Sequence, residues 1–277
     1  MTQRVAIVTG GLRGLGRGMA LGLAASGVRV LAVGHLAEDA TALADTPNVR
    51  PMVADLRAPE ACNGVVAEAM AAFGRVDILV NNAGLTFTYI DPERFRRERP
   101  RPFWEVSDEV IQAVMDTNYV AADQMGRRVA PILVRQGWGR IVNVTTKLDT
   151  MNRPGSVPYG SSKAALEMTT EIWAKELDGT GVTANIVNPG AGANTPGMNQ
   201  EMRDWSREGR VPRLVEPEEM VAPLLFVVSP AADRVNGYRF DALGWDTSLP
   251  PVEAARRNGR PAGFVLHPQD SAAFPAG

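Results

Sequence analysis

The chain is expected to fold as an α/β protein, a doubly wound parallel sheet of about seven strands with helices on both faces. Three observations carry that expectation: short β-branched runs alternate with longer helical stretches, the strands are continuously apolar, and a glycine-rich turn follows the first of them. Apolar strands without in/out alternation are buried on both faces, as parallel sheets covered by helices require. In such sheets ligands bind outside the carboxyl ends of the strands.

The elements follow in order. Val5-Ala6-Ile7-Val8 is the first strand, followed by glycines and a helix to about Ser26. Val28 to Val33 and Val49 to Ala54 are the second and third strands. Ala61 to Phe73 is helical, with Val65, Val66, Ala69, Met70 and Phe73 on one broad face. Ile78-Leu79-Val80 is the fourth strand, and Val110 to Gln136 carries a long helical pattern. Ile141 to Val144 is the fifth, and Tyr159 to Leu177 is a helix stopped by Gly179. Val182 to Val187 is the sixth strand and Tyr238-Arg239-Phe240 the seventh.

Two segments break this rhythm. Residues 86–105 lie between the fourth strand and the next helix. Within them, 91–105 holds five arginines (Arg94, Arg96, Arg97, Arg99, Arg101) against four acids (Asp91, Glu93, Glu98, Glu105). A solvated loop or subunit contact is the default reading; a site for a substrate carboxylate or phosphate is the alternative. Residues 246–277 hold five of the chain's 20 prolines, so regular structure there must be short. Phe264, Val265, Leu266 and Phe274 are too apolar for a free tail, so it is expected to dock on this subunit or a neighbour.

Composition narrows the function classes. The length of 277 residues suits one large domain or at most two small ones. Lys plus Arg is 29 against 31 Asp plus Glu, a net charge of −2, so the basic excess of a nucleic-acid binder or polybasic membrane anchor is missing. A single cysteine, Cys62, allows no intramolecular disulfide, and His35 and His267 leave little for a metal. No apolar run approaches membrane-spanning length, and no signal-peptide pattern opens the chain. The expectation is a soluble, globular, cytoplasmic protein.

The glycine turn carries the first chemistry. Thr9-Gly10-Gly11-Leu12-Arg13-Gly14-Leu15-Gly16 joins the first strand to the first helix. Glycines let the backbone turn sharply and let a pyrophosphate approach without Cβ clashes. Free N–H groups at the positive helix end then face the anion. A structural turn is the bland reading, but its place after the N-terminal strand is where the anion-binding mechanism needs it.

Further residues invite acid/base chemistry. Tyr159 and Lys163 are four apart on a helix and share a face. A nearby ammonium favours the phenolate, so Lys163 is expected to lower the Tyr159 proton affinity. Tyr-x-x-x-Lys alone is common and usually marks a solvated helix face.

Thr9-Gly-x-x-x-Gly-x-Gly16 resembles the glycine motif of the short-chain dehydrogenase/reductase family, whose fold is Rossmann-like. Asn81-Asn82-Ala83-Gly84, Tyr159-x-x-x-Lys163 and Pro189-Gly190 match that family's further motifs in order. The resemblance covers about residues 4–245, implying one dinucleotide-binding catalytic domain over 1–245 and an extension over 246–277. It implies that Tyr159 is the catalytic acid/base and that Lys163 is its partner, also holding the nicotinamide ribose. Thr146 stands where the family usually has a serine that polarises the substrate oxygen, with Thr145 as a register-slipped competitor. Asn118 matches the asparagine that bends the preceding helix and holds a water near the lysine. Lys147 and Asp149 either contact a polar substrate or pair with each other.

The same resemblance implies a set of cofactor contacts. Gly10, Arg13, Gly14, Leu15 and Gly16 form the phosphate turn, Asp55-Leu56 meets the adenine, and Asn81, Ala83 and Gly84 line the adenine-ribose side. Pro189 and Gly190 follow the sixth strand, and either Asn194 or Thr195 meets the carboxamide. Residues 196–215 are expected to form a mobile substrate lid, with Met198, Met202 and Trp205 on its inner side. NAD-selective sites place an acid after the second strand, but here Gly34 holds that position with His35 beside it. Arg13 is positioned for a 2′-phosphate, so NADP(H) is expected over NAD(H).

The expectation is therefore an oxidoreductase acting on a ketone/secondary alcohol pair, assembled as a homo-tetramer or dimer on the helices that contain Asn118 and Tyr159. The alternatives are an NAD-dependent sugar or polyol dehydrogenase and a non-catalytic dinucleotide-binding regulatory protein.

Overall fold

The structure, a computed structural model, describes residues 3–264. An eight-stranded sheet runs in the order β3-β2-β1-β4-β5-β6-β7-β8, parallel from β3 to β7. The strands are β1 (Val5–Thr9), β2 (Arg29–Gly34), β3 (Val49–Val53), β4 (Ile78–Asn81), β5 (Gly139–Asn143), β6 (Val182–Asn188), β7 (Tyr238–Asp241) and β8 (Arg260–Pro261). The helices are α1 (Gly14–Ala25), α2 (Ala37–Thr41), α3 (Pro59–Phe73), α4 (Phe87–Ile90), α5 (Asp108–Met115), α6 (Ala121–Gln136), α7 (Leu148–Met151), α8 (Tyr159–Glu176), α9 (Gln200–Arg207), α10 (Val221–Val227) and α11 (Pro251–Asn258).

The sheet is buried on both faces because alternate residues of one strand enter different cores. Ala6, Val8, Val30, Ala32, Ile78 and Val80 pack with Met19 and Leu23 of α1 and Leu224 of α10. Ile7, Leu31, Val33 and Leu79 pack with Val65 of α3 and Met125 and Val129 of α6. Strand order reverses between β1 and β4, and a ligand crevice belongs outside the carboxyl ends at that switch point. The glycine turn, Asn81 to Gly84, Thr146 and Pro189 all follow strands at this end.

Three expectations are corrected. The sheet has eight strands, because β8 pairs antiparallel with β7 through Tyr238↔Pro261 and Arg239↔Arg260. Its proline is tolerable because β8 is the sheet edge. The helix expected over 110–136 is interrupted by a π turn over Asp116–Val120 that separates α5 from α6. On α3, Val65 and Ala69 are buried but Met70 faces outward, so the apolar stripe is narrower than the sequence pattern. Within residues 246–264, Ala254, Ala255 and Ala262 are buried and Ala262 N donates to Gly237 O. The expectations placed on Val265, Leu266 and Phe274 lie outside the described residues. Among the described residues no helix is long and apolar enough to cross a membrane.

Candidate active site

The glycine turn is braced from two sides. The Thr9 hydroxyl donates to Val80 O and accepts from the backbone N–H groups of Asn82 and Ala83 at 3.0 and 3.1 Å. The Asn82 amide donates to Thr9 O and Gly10 O at 3.0 and 3.1 Å. Gly10 has φ +61°, and a Cβ there would lie 2.8 Å from Asn82 Nδ2. A Cβ on Gly16 would run into Gly10 O. No side chain caps the N-terminus of α1, and its first turn holds no acid. This bare turn with uncapped donors fits a dinucleotide pyrophosphate. Leu15 sits partly buried against the core beneath it.

The acid/base group assembles from β5, the π turn and α8. Tyr159 and Lys163 lie in the first two turns of α8. Lys163 is buried, and its ammonium donates to Val144 O at 2.8 Å, the one acceptor it has among the described residues. Burial pushes its pKa down to about 8. Burial also pushes the Tyr159 phenol above its usual value, opposed by a hydrogen bond with Thr146 and by the charge of Arg153. This corrects the expectation that Lys163 lowers the phenol: burial raises it, the Lys163 ammonium is drawn to the Val144 carbonyl, and the opposing influences come from Thr146 and Arg153.

Asn118 is buried at the centre of the π turn. Its Oδ1 accepts from Leu85 N at 2.7 Å, and its Nδ2 donates to Leu85 O and Ser162 Oγ, both at 3.1 Å. It therefore ties the segment after β4 to α8. Gly84 fits between the two: a Cβ there would lie 3.3 Å from Asn118 Oδ1 and 3.5 Å from Lys163 Nζ.

Of the two threonines, Thr145 donates its Oγ1 to Glu167 Oε2 at 2.9 Å and turns into the core, whereas Thr146 acts on the Tyr159 phenol. Behind them lies a group the sequence reading missed. Arg239 and Glu167 are fully buried, with Arg239 Nη1 2.7 Å from Glu167 Oε1. Arg239 Nη2 donates to Thr146 O at 2.9 Å, and Gly263 N donates to Glu167 Oε1 at 3.3 Å. The available signal was an arginine at the centre of an otherwise apolar strand.

Other expected residues fall in varied places. Lys147 and Asp149 pair with each other at 3.1 Å. The Asn81 amide donates to Asn143 Oδ1 at 2.9 Å and Ala122 O at 3.3 Å, so it joins the sheet to α6, while Asn82 supports the turn. Ala83 is partly buried just beyond it. The Asp55 carboxylate is held by Arg57, which keeps it below the usual carboxylate range, with Leu56 buried beside it. The Asn194 side chain is engaged by Glu216 and Arg203 at 2.9 and 2.7 Å, whereas Thr195 lies against Gly14. Gly190 N donates to Asn188 Oδ1 at 2.8 Å, which fixes the Pro189-Gly190 turn. The segment expected to form the lid carries α9, and Thr86 Oγ1 donates to Gly197 O at 2.8 Å across to it. Arg13 reaches Asp39 at 3.6 Å, and His35 is exposed.

A doubly wound sheet with a bare glycine turn and a Tyr159/Lys163 pair at the start of α8 is the arrangement of a dinucleotide-dependent oxidoreductase. Residues 4–207 match the family model of the short chain dehydrogenases, and the chain belongs to that family. It is thereby an NAD(P)-dependent oxidoreductase of the carbonyl/alcohol type. It is 31% identical to a 3-oxoacyl-[acyl-carrier-protein] reductase of Synechocystis sp. over 88% of this chain and 97% of that protein. It is 32% identical to a 2-dehydro-3-deoxy-D-gluconate 5-dehydrogenase of Escherichia coli over 85% of this chain and 92% of the relative. Among solved structures, an actinorhodin polyketide ketoreductase with NADPH aligns with a TM-score of 0.72 at 26% identity, covering 84% of this chain and 93% of the other. A Brucella melitensis 3-ketoacyl-(acyl-carrier-protein) reductase complexed with NADH aligns with a TM-score of 0.74 at 27% identity, covering 87% and 97%.

Proposed function

We propose that this protein reduces a ketone with NADP(H), with Tyr159 as the general acid, and runs the reverse oxidation with tyrosinate as base. The observation that carries the reading is the buried Lys163 ammonium held on Val144 O, one helical turn along α8 from Tyr159, with Thr146 following β5 at the same end of the sheet. A bound reduced nicotinamide would supply the hydride. Thr146 donates a hydrogen bond to the carbonyl oxygen, stabilising the charge that develops there, and Tyr159 transfers its proton to the same atom. Lys163 keeps two further N–H donors for ribose hydroxyls, and the Arg153 charge favours the phenolate that remains. Asn118 holds Leu85 and α8 in fixed relation, so the acid does not drift from its substrate. Steady-state NADPH oxidation against a panel of ketones tests this: turnover with several is expected, and turnover with none would contradict it and favour a non-catalytic regulatory role.

The preference for NADP(H) rests on Arg13 and Gly34. A Cβ at Gly34 would lie 2.9 Å from Leu12, so an acid there needs Leu12 to move. Arg13 is partly exposed, and its contact with Asp39 is long at 3.6 Å, which leaves it free to turn to a 2′-phosphate. Arg13→Met is expected to lower kcat/KM with NADPH at least about 10-fold relative to NADH. An unchanged ratio would favour the second reading, an NAD-dependent sugar or polyol dehydrogenase, for which Asp39 beside Arg13 offers a carboxylate to a ribose hydroxyl. Assembly as a homo-tetramer or dimer, and docking of the 246–277 extension on the 1–245 domain or on a neighbouring subunit, belong to the same reading. It is supported by the buried alanines of α11 and by the exposed Ile172 on α8.

A further inference from the structure

An aromatic ring and two cations stand beside Tyr159. The Phe87 ring lies 4.6 Å from the Tyr159 ring, centroid to centroid. The Arg94 guanidinium stands 4.1 Å from the Phe87 centroid, and that of Arg153 stands 5.4 Å from it. They come from separate segments, Arg94 from the insertion after α4 and Arg153 from the loop after α7.

Among the described residues neither has a paired carboxylate. Within the same insertion Arg96 pairs with Glu93 and Glu201, while Arg97 and Arg101 share the buried Asp91 at 2.9 and 3.6 Å. Arg94 and Arg153 have no carboxylate within 4.0 Å among the described residues. Arg94 is partly buried and donates only to Gly155 O, at 2.6 Å. Two acids act on the pair from a distance, and both are committed elsewhere: Asp91 to Arg97 and Arg101, and Asp149 to Lys147. The repulsion is felt, since burial first and the Arg153 charge second push the Arg94 pKa down.

Holding two like charges near one partly desolvated ring costs free energy, and an oxyanion between them removes that cost. Guanidinium groups match carboxylate and phosphate oxygens through paired N–H donors. We propose that Arg94 and Arg153 form a subsite for an oxyanion, carboxylate or phosphate, carried by the substrate a few bonds from its reacting carbonyl. Phe87 lies within cation–π reach of both guanidiniums and against the Tyr159 ring, which ties the cations to the acid. The subsite deepens the ketone-reduction reading and rests on it for the position of the carbonyl.

Calorimetric binding to the full chain needs no turnover and separates the two claims. The probes are levulinate against methyl levulinate, and dihydroxyacetone phosphate against dihydroxyacetone. At least one anion is expected to bind about 10-fold or more tightly than its neutral partner. Arg153→Met and Arg94→Met should each reduce that ratio, and the double variant should bring it close to one. Arg153→Lys, which keeps the charge but loses the paired N–H donors, should keep part of it, which a purely structural role for the side chain would not produce. Which pair discriminates more identifies carboxylate or phosphate as the group recognised. Equal binding of anion and neutral partner by the unaltered protein, or a ratio unmoved by Arg153→Met, overturns the proposal; Arg153 is exposed, so that variant should not disturb folding. Discrimination without reduction of any ketone would overturn the catalytic reading and leave the subsite standing.

Discussion

Tyr159→Phe is expected to lower kcat/KM for ketone reduction by about 100-fold to 10,000-fold, the range that a positioned acid contributes. The substitution removes one oxygen and keeps the ring. The contact with Phe87 at 4.6 Å therefore survives, and dinucleotide affinity should stay within a few-fold because the glycine turn is untouched. The hydroxyl is crowded by protein and raised in pKa, so removing it also removes a desolvated polar group and folding should not suffer. Cofactor fluorescence titration beside the kinetics separates loss of chemistry from loss of binding. Full activity in this variant would remove Tyr159 from the mechanism.

Arg239→Met carries the second large effect, on stability. Arg239 and Glu167 are both fully buried at 2.7 Å, and removing the cation leaves a carboxylate in the core with Thr145 and Gly263 as its neutral partners. Breaking such a pair from one side costs about 3–5 kcal/mol. In a chain of this size that lowers the thermal midpoint on the order of 10 °C. Arg239→Met/Glu167→Gln should be less destabilised than Arg239→Met alone, because no unpaired charge remains buried. The single variant should also lower kcat, since Arg239 holds the Thr146 carbonyl. Urea unfolding of the three proteins measures this; equal midpoints for Arg239→Met and the unaltered chain would contradict it.

Local pattern made most of the sheet legible. Continuous apolar runs such as Val5 to Val8 and Val182 to Val187 specify strands buried on both faces, and they do enter two cores. The edge strand β8 was not legible, because Arg260–Pro261 has no apolar pattern and is held by the Tyr238 and Arg239 backbone. The resemblance implied a bend at Asn118, but not its form: Asp116 to Val120 looks helical, and the extra residue in the π turn is fixed by Asn118 bonding to Leu85, 33 positions away. The motif residues could be placed by spacing, but their partners could not. Asn82 rather than Asn81 braces the glycine turn, and the Thr145 hydroxyl points to Glu167, facts set by packing across the sheet. The direction of the Tyr159 shift was misjudged because helical spacing says which side chains share a face and nothing about how deeply they are buried.

The pH profile of ketone reduction tests the acid/base account most directly. The Lys163 ammonium is needed to hold the nicotinamide ribose in place beside Tyr159, and burial places its pKa at about 8. The charged form therefore predominates below that value and is lost above it. kcat/KM for reduction, followed from roughly pH 6 to 10, should be level at the acid end and fall through about 8. In Lys163→Met it should be low throughout and lack that limb. A level profile in the unaltered protein, or the same falling limb in Lys163→Met, would contradict the account.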